Sequence, residues 1–355
     1  MADEIIRTYH RYISKKILFI AICIVLSVIA VGLEISFGQY NIGFFESYGI
    51  LADHISGNIA TGREGVTKDY VVWSMRLPRA IGGLAVGATL GVCGAAMQSA
   101  LKNPLADPYT TGISSGASLG AAVSIILGIC IIPTITGDIS IVVNAFLFSL
   151  IPAGVIILVT KMRKVGSTSM IMTGIAVMYI FSATTSLLMF SANPDALAEV
   201  YIWTVGTLGR ANWTNLPLLI VAAATSIVLL QTVAKKLNIL VMSDENATSL
   251  GINAKHLRLF TLAIVSLGTS IVVSFTGTIG FVGLVAPHVV RIFIGSDNRY
   301  LIPASAAFGA VMLLFADCVA KEVGTTGLPV GVITALIGGP LFLILLMRQH
   351  KSIWG

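Results

Sequence analysis

Three titratable side chains lie inside or beside the long apolar runs of this sequence, where they could carry a proton or bind an ion. Glu34 and Asp317 fall near the outer ends of their runs, and His288 lies beside Arg291 near an inner end. Ion-coupled transporters keep such groups near the middle of the bilayer. At helix ends we interpret each of the three as an interfacial or interhelical hydrogen-bonding group.

The sequence lacks the motifs for nucleotide binding, nucleophilic catalysis and metal binding. The phosphate-binding loop GxxxxGK[ST] is absent, because the only Lys followed by Ser or Thr is Lys351, and His350 precedes it. No paired nucleophile and base is evident. The cysteines show neither CxxC nor Cys/His spacing, so we expect small apolar fillers and no metal. These cysteines are Cys23, Cys93, Cys130 and Cys318. We therefore expect no enzyme activity, no cofactor in this chain, and an energy supply from a partner.

The composition fixes the class of protein. Hydrophobic residues make up 56% of the 355 residues and charged residues 11%, with a mean hydropathy of +0.92. Ordinary soluble domains carry about 25% charged residues. The net charge of +6 comes from short basic clusters between apolar runs, which indicate membrane orientation rather than a nucleic-acid partner. The sequence predicts an all-α polytopic membrane protein that forms a single transmembrane domain over 1–355.

Nine apolar runs predict ten membrane spans, which need about 20 residues each, because one long run is divided into two helices. The first run, 17–33, is too long for the core of a signal peptide and lacks a cleavage site, so we predict a spanning helix. A polar segment covers 38–69, and an interfacial helix with Tyr201 and Trp203 is expected over 199–210. The other spans are 80–101, 108–137, 139–160, 165–194, 211–234, two within 259–290, 301–316 and 328–347.

The charge distribution supports two helices within 259–290. That run is too long for one ordinary span, and Gly277 is the predicted break. With ten helices and the N-terminus inside, 16 of the 22 Lys and Arg residues are cytoplasmic, against 13 if the run is one helix. Basic residues concentrate on the cytoplasmic side, so the split is preferred. Both termini are then cytoplasmic.

Two glycine ladders flank the proline-bounded connector 102–108. Glycines at four-residue spacing share one helix face, and in a bilayer such faces let two backbones approach closely. We therefore predict a closely packed pair of transmembrane helices; a chance GxxxG match without packing is the alternative. The ladders are Gly83, Gly87 and Gly91, followed by Gly112, Gly116 and Gly120.

The largest cytoplasmic connection, 234–257, is the predicted landing place for an energy-supplying partner. Ser243 can cap a helix whose first turn contains Asp244 and Glu245, and Gly251 can supply a left-handed end. An ordinary capped connector is the alternative interpretation.

Four stretches of the sequence resemble the FecCD-type permeases of ABC importers for iron-siderophore, haem and vitamin B12 compounds. They are RLPR at 76–79, the run GATLGVCGAAMQSALKNPLADPYTTGISSGASLGA at 87–121, GFVGLVAPHVVR at 280–291, and LPVGVITALIGGPLFL at 328–343. The resemblance covers nearly the whole chain. It implies the type II importer permease architecture, with ten helices per subunit and a dimer, expected to be a homodimer, around the substrate path.

The resemblance also implies partners and a mechanism. Two cytoplasmic ABC ATPase subunits would bind ATP and Mg²⁺, and an extracytoplasmic substrate-binding protein would deliver a metal chelate for inward transport by alternating access. The cell membrane of a prokaryote is the expected location. An ion-coupled secondary transporter or channel is the alternative, and an adjacent ATPase gene would decide between the two.

The resemblance assigns three groups of residues. The ATPase-coupling residues are Ser243, Asp244, Glu245, Ala247, Leu250 and Gly251. The residues expected to dock the binding protein are Arg76, Arg79 and Lys321, where the family usually has Arg at the last position and where snorkelling to headgroups is the alternative. The residues of the expected cytoplasmic gate are Asn103, Leu105, Thr168 and Ser169.

Overall fold

The computed structural model describes residues 2–58, 61–162, 166–324 and 327–348, and in these ranges the chain is almost entirely helical. A π-helical turn at Tyr70–Arg76 and a 3₁₀ turn at Pro108–Thr111 occur in two of the connections. The α-helices are α1 (Ala2–Ser36), α2 (Phe44–Ser56), α3 (Arg63–Asp69), α4 (Leu77–Leu101), α5 (Ile113–Leu127), α6 (Asp138–Met162), α7 (Ser167–Phe190), α8 (Pro194–Thr204), α9 (Leu216–Met242), α10 (Asp244–Ser249), α11 (Ala254–Thr276), α12 (Val282–Ile294), α13 (Asn298–Glu322) and α14 (Val330–Arg348).

The described helices account for all ten predicted spans. Seven helical segments are long and apolar enough to cross a membrane, and three shorter apolar helices (α5, α12 and α14) match the remaining runs. The predicted break within 259–290 is confirmed, because α11 ends at Thr276 and Gly277 takes a φ of +72° before α12 begins at Val282. Glycine adopts this backbone conformation at little steric cost.

The segment 38–69, predicted as merely polar, contains two helices. Glu46 closes the first turn of α2, since its side chain accepts a hydrogen bond from the Gly43 N–H at 3.1 Å. The helix α3 then continues through the π-helical turn into α4, so that Arg63–Leu101 is one helical segment of 39 residues. Pro78 has no backbone N–H to donate, and it lies directly after the π-helical turn, where the regular α-helical hydrogen-bond pattern is already interrupted.

The helix predicted at 199–210 lies elsewhere. Its start is fixed earlier, because Asn193 Oδ1 accepts a hydrogen bond from the Ala196 N–H at 2.8 Å and a proline follows the cap. The helix α8 therefore ends at Thr204. Trp203 is buried rather than interfacial, with 4% of its surface exposed.

The glycine face of α4 packs against the backbone of α13. A β-carbon on Gly87 would lie 2.5 Å from the Gly309 carbonyl oxygen and 2.7 Å from Ala310 Cα. Gly91 abuts the Ser305 backbone in the same way, while Gly83 faces leucine side chains. With 20 of its 25 residues buried, α4 is the central helix of the bundle, and α9, α11 and α12 also pack on it.

The glycine face of α5 packs against α6. A β-carbon on Gly116 would meet the Phe148 carbonyl oxygen at 2.5 Å, and Gly120 abuts the Asn144 backbone. Gly112 has a φ of +91° and lies beside Pro152 of α6. The prediction of one packed pair was therefore wrong about the partners: each ladder is a close-packing face, but each contacts a third helix.

Replacement of Gly87 by Ala should destabilise the bundle, because the added methyl group overlaps the α13 backbone and the helices must separate. Overpacking of this kind costs about 1–3 kcal/mol. We expect a lower melting temperature in detergent. On α6, no atom lies within 4 Å of the β-carbon position of Gly154, so Gly154→Ala is the matched control and should not lower the melting temperature. Equal melting temperatures for both variants would contradict the packing.

Candidate functional site

The candidate coupling site begins with the two predicted caps of α10, both of which are present. Ser243 Oγ accepts a hydrogen bond from the Asn246 N–H at 2.9 Å. Gly251 has a φ of +75°, and the next N–H, that of Ile252, donates to the Ala247 carbonyl at 2.8 Å. The two ends of this short helix are therefore fixed by its own sequence.

The predicted coupling residues divide between a buried and an exposed side of α10 and its C-cap Leu250. Ala247 is fully buried and joins a core cluster with Leu237 and Leu240 of α9. Glu245 and Leu250 face outward, and Leu250 is 66% exposed. The helix is thus anchored by one small apolar residue and presents an acidic and a large apolar side chain to its surroundings.

Asp244 holds α10 to two other helices. Its carboxylate accepts two hydrogen bonds from the Arg258 guanidinium, at 2.7 and 2.8 Å, and one from Lys102 Nζ at 2.7 Å. The hydrogen bonds from Arg258, with Lys102 adding to them, keep the pKa of the Asp244 carboxyl well below its usual range. Sequence analysis missed this cluster, because 142 residues separate Lys102 from Asp244 and no spacing rule relates them.

The predicted gate residues lie on two neighbouring segments. Asn103 Oδ1 accepts a hydrogen bond from the Leu105 N–H at 2.9 Å, which makes a local turn, and Leu105 is 46% exposed. Thr168 and Ser169 lie in the first turn of α7 and are exposed and half-buried. Ala106 and Met170, which follow the two pairs, belong to the same buried cluster. The gating role of these residues stays a prediction.

At the opposite end of α4, Arg76 lies inside the protein rather than on its surface. It is 6% exposed, and its guanidinium donates to three carbonyl oxygens: those of Ile35 at 2.9 Å, Ser36 at 2.7 Å and Tyr40 at 2.5 Å. The carbonyls of Ile35 and Ser36 belong to the last turn of α1, and that of Tyr40 follows it. A cation is favoured at the C-terminus of a helix.

Arg79 and Lys321 are paired with carboxylates between helices. Arg79 forms a bidentate pair with Asp317, with both N–H···O distances at 2.7 Å. Lys321 forms an ion pair with Glu34 and also donates to the Glu34 carbonyl oxygen at 3.0 Å. Both carboxylates are fully buried. Of the two predicted roles, interfacial and interhelical, Glu34 and Asp317 therefore have the interhelical one.

This pairing bears on the two interpretations of Arg76, Arg79 and Lys321, which are docking of a binding protein and snorkelling to headgroups. The cations at 76, 79 and 321 already have partners within the chain, and the side chain of Arg79, at 21% exposed, is more accessible than that of Lys321, at 8%. All three line a cavity of about 570 Å³ together with Thr207 and Asn212. Snorkelling is excluded as their main role, and contact with a binding protein stays a prediction.

His288 is also an internal group. It is 3% exposed, and its ring lies edge-on to Phe342 at 6.0 Å. Nearby, Arg291 Nη1 donates to Gln98 Oε1 on α4 at 2.5 Å. This part of α12 is therefore tied to α4 and α14.

A second cavity, of about 390 Å³, lies between α5, α7 and the break before α12. The residues described around it contribute hydroxyl, thioether and backbone groups and no formal charge. They are Tyr109, Ser114, Ser115, Ser118, Met178, Ser182, Thr185, Thr278 and Gly280. Neutral walls of this kind hold a ligand by shape and hydrogen bonds.

The family model of the FecCD transport family matches residues 19–348. The chain belongs to this family. It is a multi-pass membrane protein of a transporter family, which agrees with its helices and with the resemblance found in the sequence.

Several relatives align with most of this FecCD family chain. A Methanocaldococcus jannaschii protein provisionally named an ABC transporter permease is 38% identical, covering 99% of this chain and 100% of its own. The hemin transport system permease protein HmuU of Yersinia pestis is 36% identical over 79% of this chain and 84% of its own. The cobalamin import system permease protein BtuC of Halobacterium salinarum is 37% identical over 80% and 75%.

One solved structure shares the fold over almost its full length. It is an inward-facing conformation of an ABC transporter assigned to the metal-chelate type, with a TM-score of 0.80 and 25% identity. The match covers 93% of this chain and 98% of that chain.

Replacement of Asp317 by Asn should strongly destabilise this FecCD family chain, because Arg79 loses its bidentate buried partner and keeps only the longer contact with Glu34, at 3.6 Å. Breaking a buried pair by removing one partner costs about 3–5 kcal/mol. We expect a clear drop in melting temperature in detergent. The control is Glu64→Gln, which removes an exposed partner of Lys68 and should leave the melting temperature unchanged. Equal small effects for both variants would contradict the buried network.

Proposed function

We propose that this chain is the transmembrane permease subunit of an ATP-binding cassette importer that moves a metal chelate into the cytoplasm by alternating access. The observation that carries the proposal is the match over 93% of the chain to an inward-facing transporter assigned to the metal-chelate type. The names of the relatives suggest hemin, cobalamin or an iron chelate as the substrate class.

The proposal assigns the energy supply to partner subunits. Two cytoplasmic ATPase subunits would bind ATP and Mg²⁺, and this chain would hold no cofactor and hydrolyse nothing. In the orientation proposed from the positive-inside count, both termini and the coupling segment 234–257 are cytoplasmic. The exposed Glu245 and Leu250 of α10 would then contact the ATPase.

On the outer side, the proposal places an extracytoplasmic substrate-binding protein over the cavity that Arg76, Arg79 and Lys321 line. A second permease subunit, expected to be a second copy of this chain, would complete the substrate path. The neutral hydroxyl-lined cavity at α5 and α7 supports this path, since metal chelates are held mainly by shape and a few polar groups.

The pairing of the buried carboxylates supports the ABC importer over an ion-coupled transporter. Glu34 and Asp317 are each paired with a cation at one end of the bundle. An ion-coupling site would require such groups to exchange a proton or metal ion during transport, usually near the middle of the bilayer.

The function is tested by reconstituting the chain in nanodiscs with the ATPase and the binding protein encoded beside it. We expect ATP turnover to rise when hemin, cobalamin or a ferric siderophore is supplied with the binding protein. Turnover that none of the three compounds changes, together with uptake driven by an ion gradient in proteoliposomes, would support the ion-coupled alternative instead.

Replacement of Gly251 by Val should uncouple this importer, because a β-branched residue is strained at a φ of +75° by about 1–2 kcal/mol and the end of α10 would be lost. We expect normal folding but lower compound-stimulated ATP turnover. Gly128→Val imposes the same strain, at a φ of +65°, on the end of α5 at the outer side and is the matched control. Equal turnover in both variants would argue against a coupling role.

A further inference from the structure

We propose that Asp244 and Lys102 form a mechanical link that passes movement of α10 to the connector carrying the predicted gate residues Asn103 and Leu105. In this view both are positioning residues that act through the connector. The proposal rests on the proposed function, because it gives the coupling helix a route to the gate.

The link joins three helices at one carboxylate. Asp244, the first residue of α10, accepts hydrogen bonds from Arg258 in α11 and from Lys102 at the end of α4. Arg258 also donates its Nε–H to the Ala100 carbonyl oxygen at 3.0 Å. The same guanidinium therefore holds both α10 and the last turn of α4.

The Arg258 side of this cluster is buried and rigid, whereas the Lys102 side is partly exposed to solvent. The side chain of Arg258 is only 7% exposed, and its planar fork meets the carboxylate with two parallel hydrogen bonds, which gives a strong and directional pair. The side chains of Asp244 and Lys102 are 48% and 24% exposed. A partner that moves α10 would therefore shift Asp244 against the more exposed Lys102, while the bidentate pair keeps Asp244 joined to Arg258 of α11.

Lys102 is well placed to pass on such a movement. Its φ of +51° is uncommon for a residue other than glycine, and it ends α4 through a hydrogen bond from the Asn103 N–H to the Gln98 carbonyl at 3.1 Å. The Asn103 side chain accepts the Leu105 N–H at 2.9 Å. Leu105 is three residues from Lys102 in a hydrogen-bonded turn, so a displaced Lys102 backbone moves the gate residues with it.

Removal of the Lys102 charge by substitution should break the link without destabilising the fold. In Lys102→Met the side-chain stem is kept, and Asp244 retains its bidentate pair with the buried Arg258. Asp244→Asn is the poorer test, because it leaves Arg258 without a carboxylate and could unfold the region.

The experiment measures labelling of Leu105→Cys by a membrane-impermeant maleimide in the nanodisc importer, with and without ATP and vanadate. The parent chain without the new thiol gives the background from native cysteines. With native Lys102, we expect ATP and vanadate to change the labelling rate. In Lys102→Met this change should be at least about five-fold smaller, while ATPase binding and basal turnover stay normal. Lys102→Arg should restore it, and Lys161→Met, which removes an exposed lysine at the end of α6, should leave it intact.

Two results would overturn the proposal, and they distinguish failure of the link from failure of the proposed function. If Lys102→Met shows the same nucleotide-dependent change as native Lys102, the link does not exist, although the importer function stands. If the chain with native Lys102 binds no ATPase and shows no nucleotide-dependent labelling at all, the proposed function fails and the link falls with it.

Discussion

Backbone contact between α4 and α13 is the constraint on which the rest of the structure depends. Helices in lipid gain nothing from hiding apolar surface from one another, so their association relies on close packing and polar contacts. Gly87 and Gly91 remove the side chains that would keep the two backbones apart. The buried helix α4 then carries Arg79 near one end and Lys102 at the other, about 35 Å apart at 1.5 Å per residue.

The ion clusters at these two ends are built differently. The cluster at the Arg79 end joins α1, α4 and α13 through the fully buried carboxylates Glu34 and Asp317, and it therefore locks three helices together. The cluster at the Lys102 end centres on Asp244, whose side chain is half exposed. A buried pair is costly to open, whereas a pair at the surface exchanges its partners readily. Rigidity at the Arg79 end and adjustability at the Lys102 end agree with the proposal that a partner acts at α10.

Local patterns were enough to predict much of this molecule. Run length and the glycine at 277 identified the spans and the break between α11 and α12, because these depend on neighbouring residues alone. The caps of α10 at Ser243 and Gly251 were predicted for the same reason. The glycine ladders revealed close-packing faces, but the identity of the helix opposite each face is a property of the whole bundle.

The missed features are those that depend on distant residues. Arg79 and Asp317 are 238 residues apart, and the positive-inside rule records only the side of the membrane for a cation, not its partner. The pairs of Arg79 with Asp317 and of Lys321 with Glu34 were therefore not predicted. The helices within 38–69 were missed because their polar composition is typical of a loop as well as of a short surface helix.

The central claim is that α10 is the surface on which an ATPase drives this permease. Site-specific photo-cross-linking tests it most directly, with p-benzoylphenylalanine in place of Leu250 in the reconstituted importer. We expect a cross-link from this exposed position to the ATPase subunit, and none from the equally exposed Ile139 at the start of α6. A cross-link from Ile139 alone, or from neither position in a complex that hydrolyses ATP, would contradict the account.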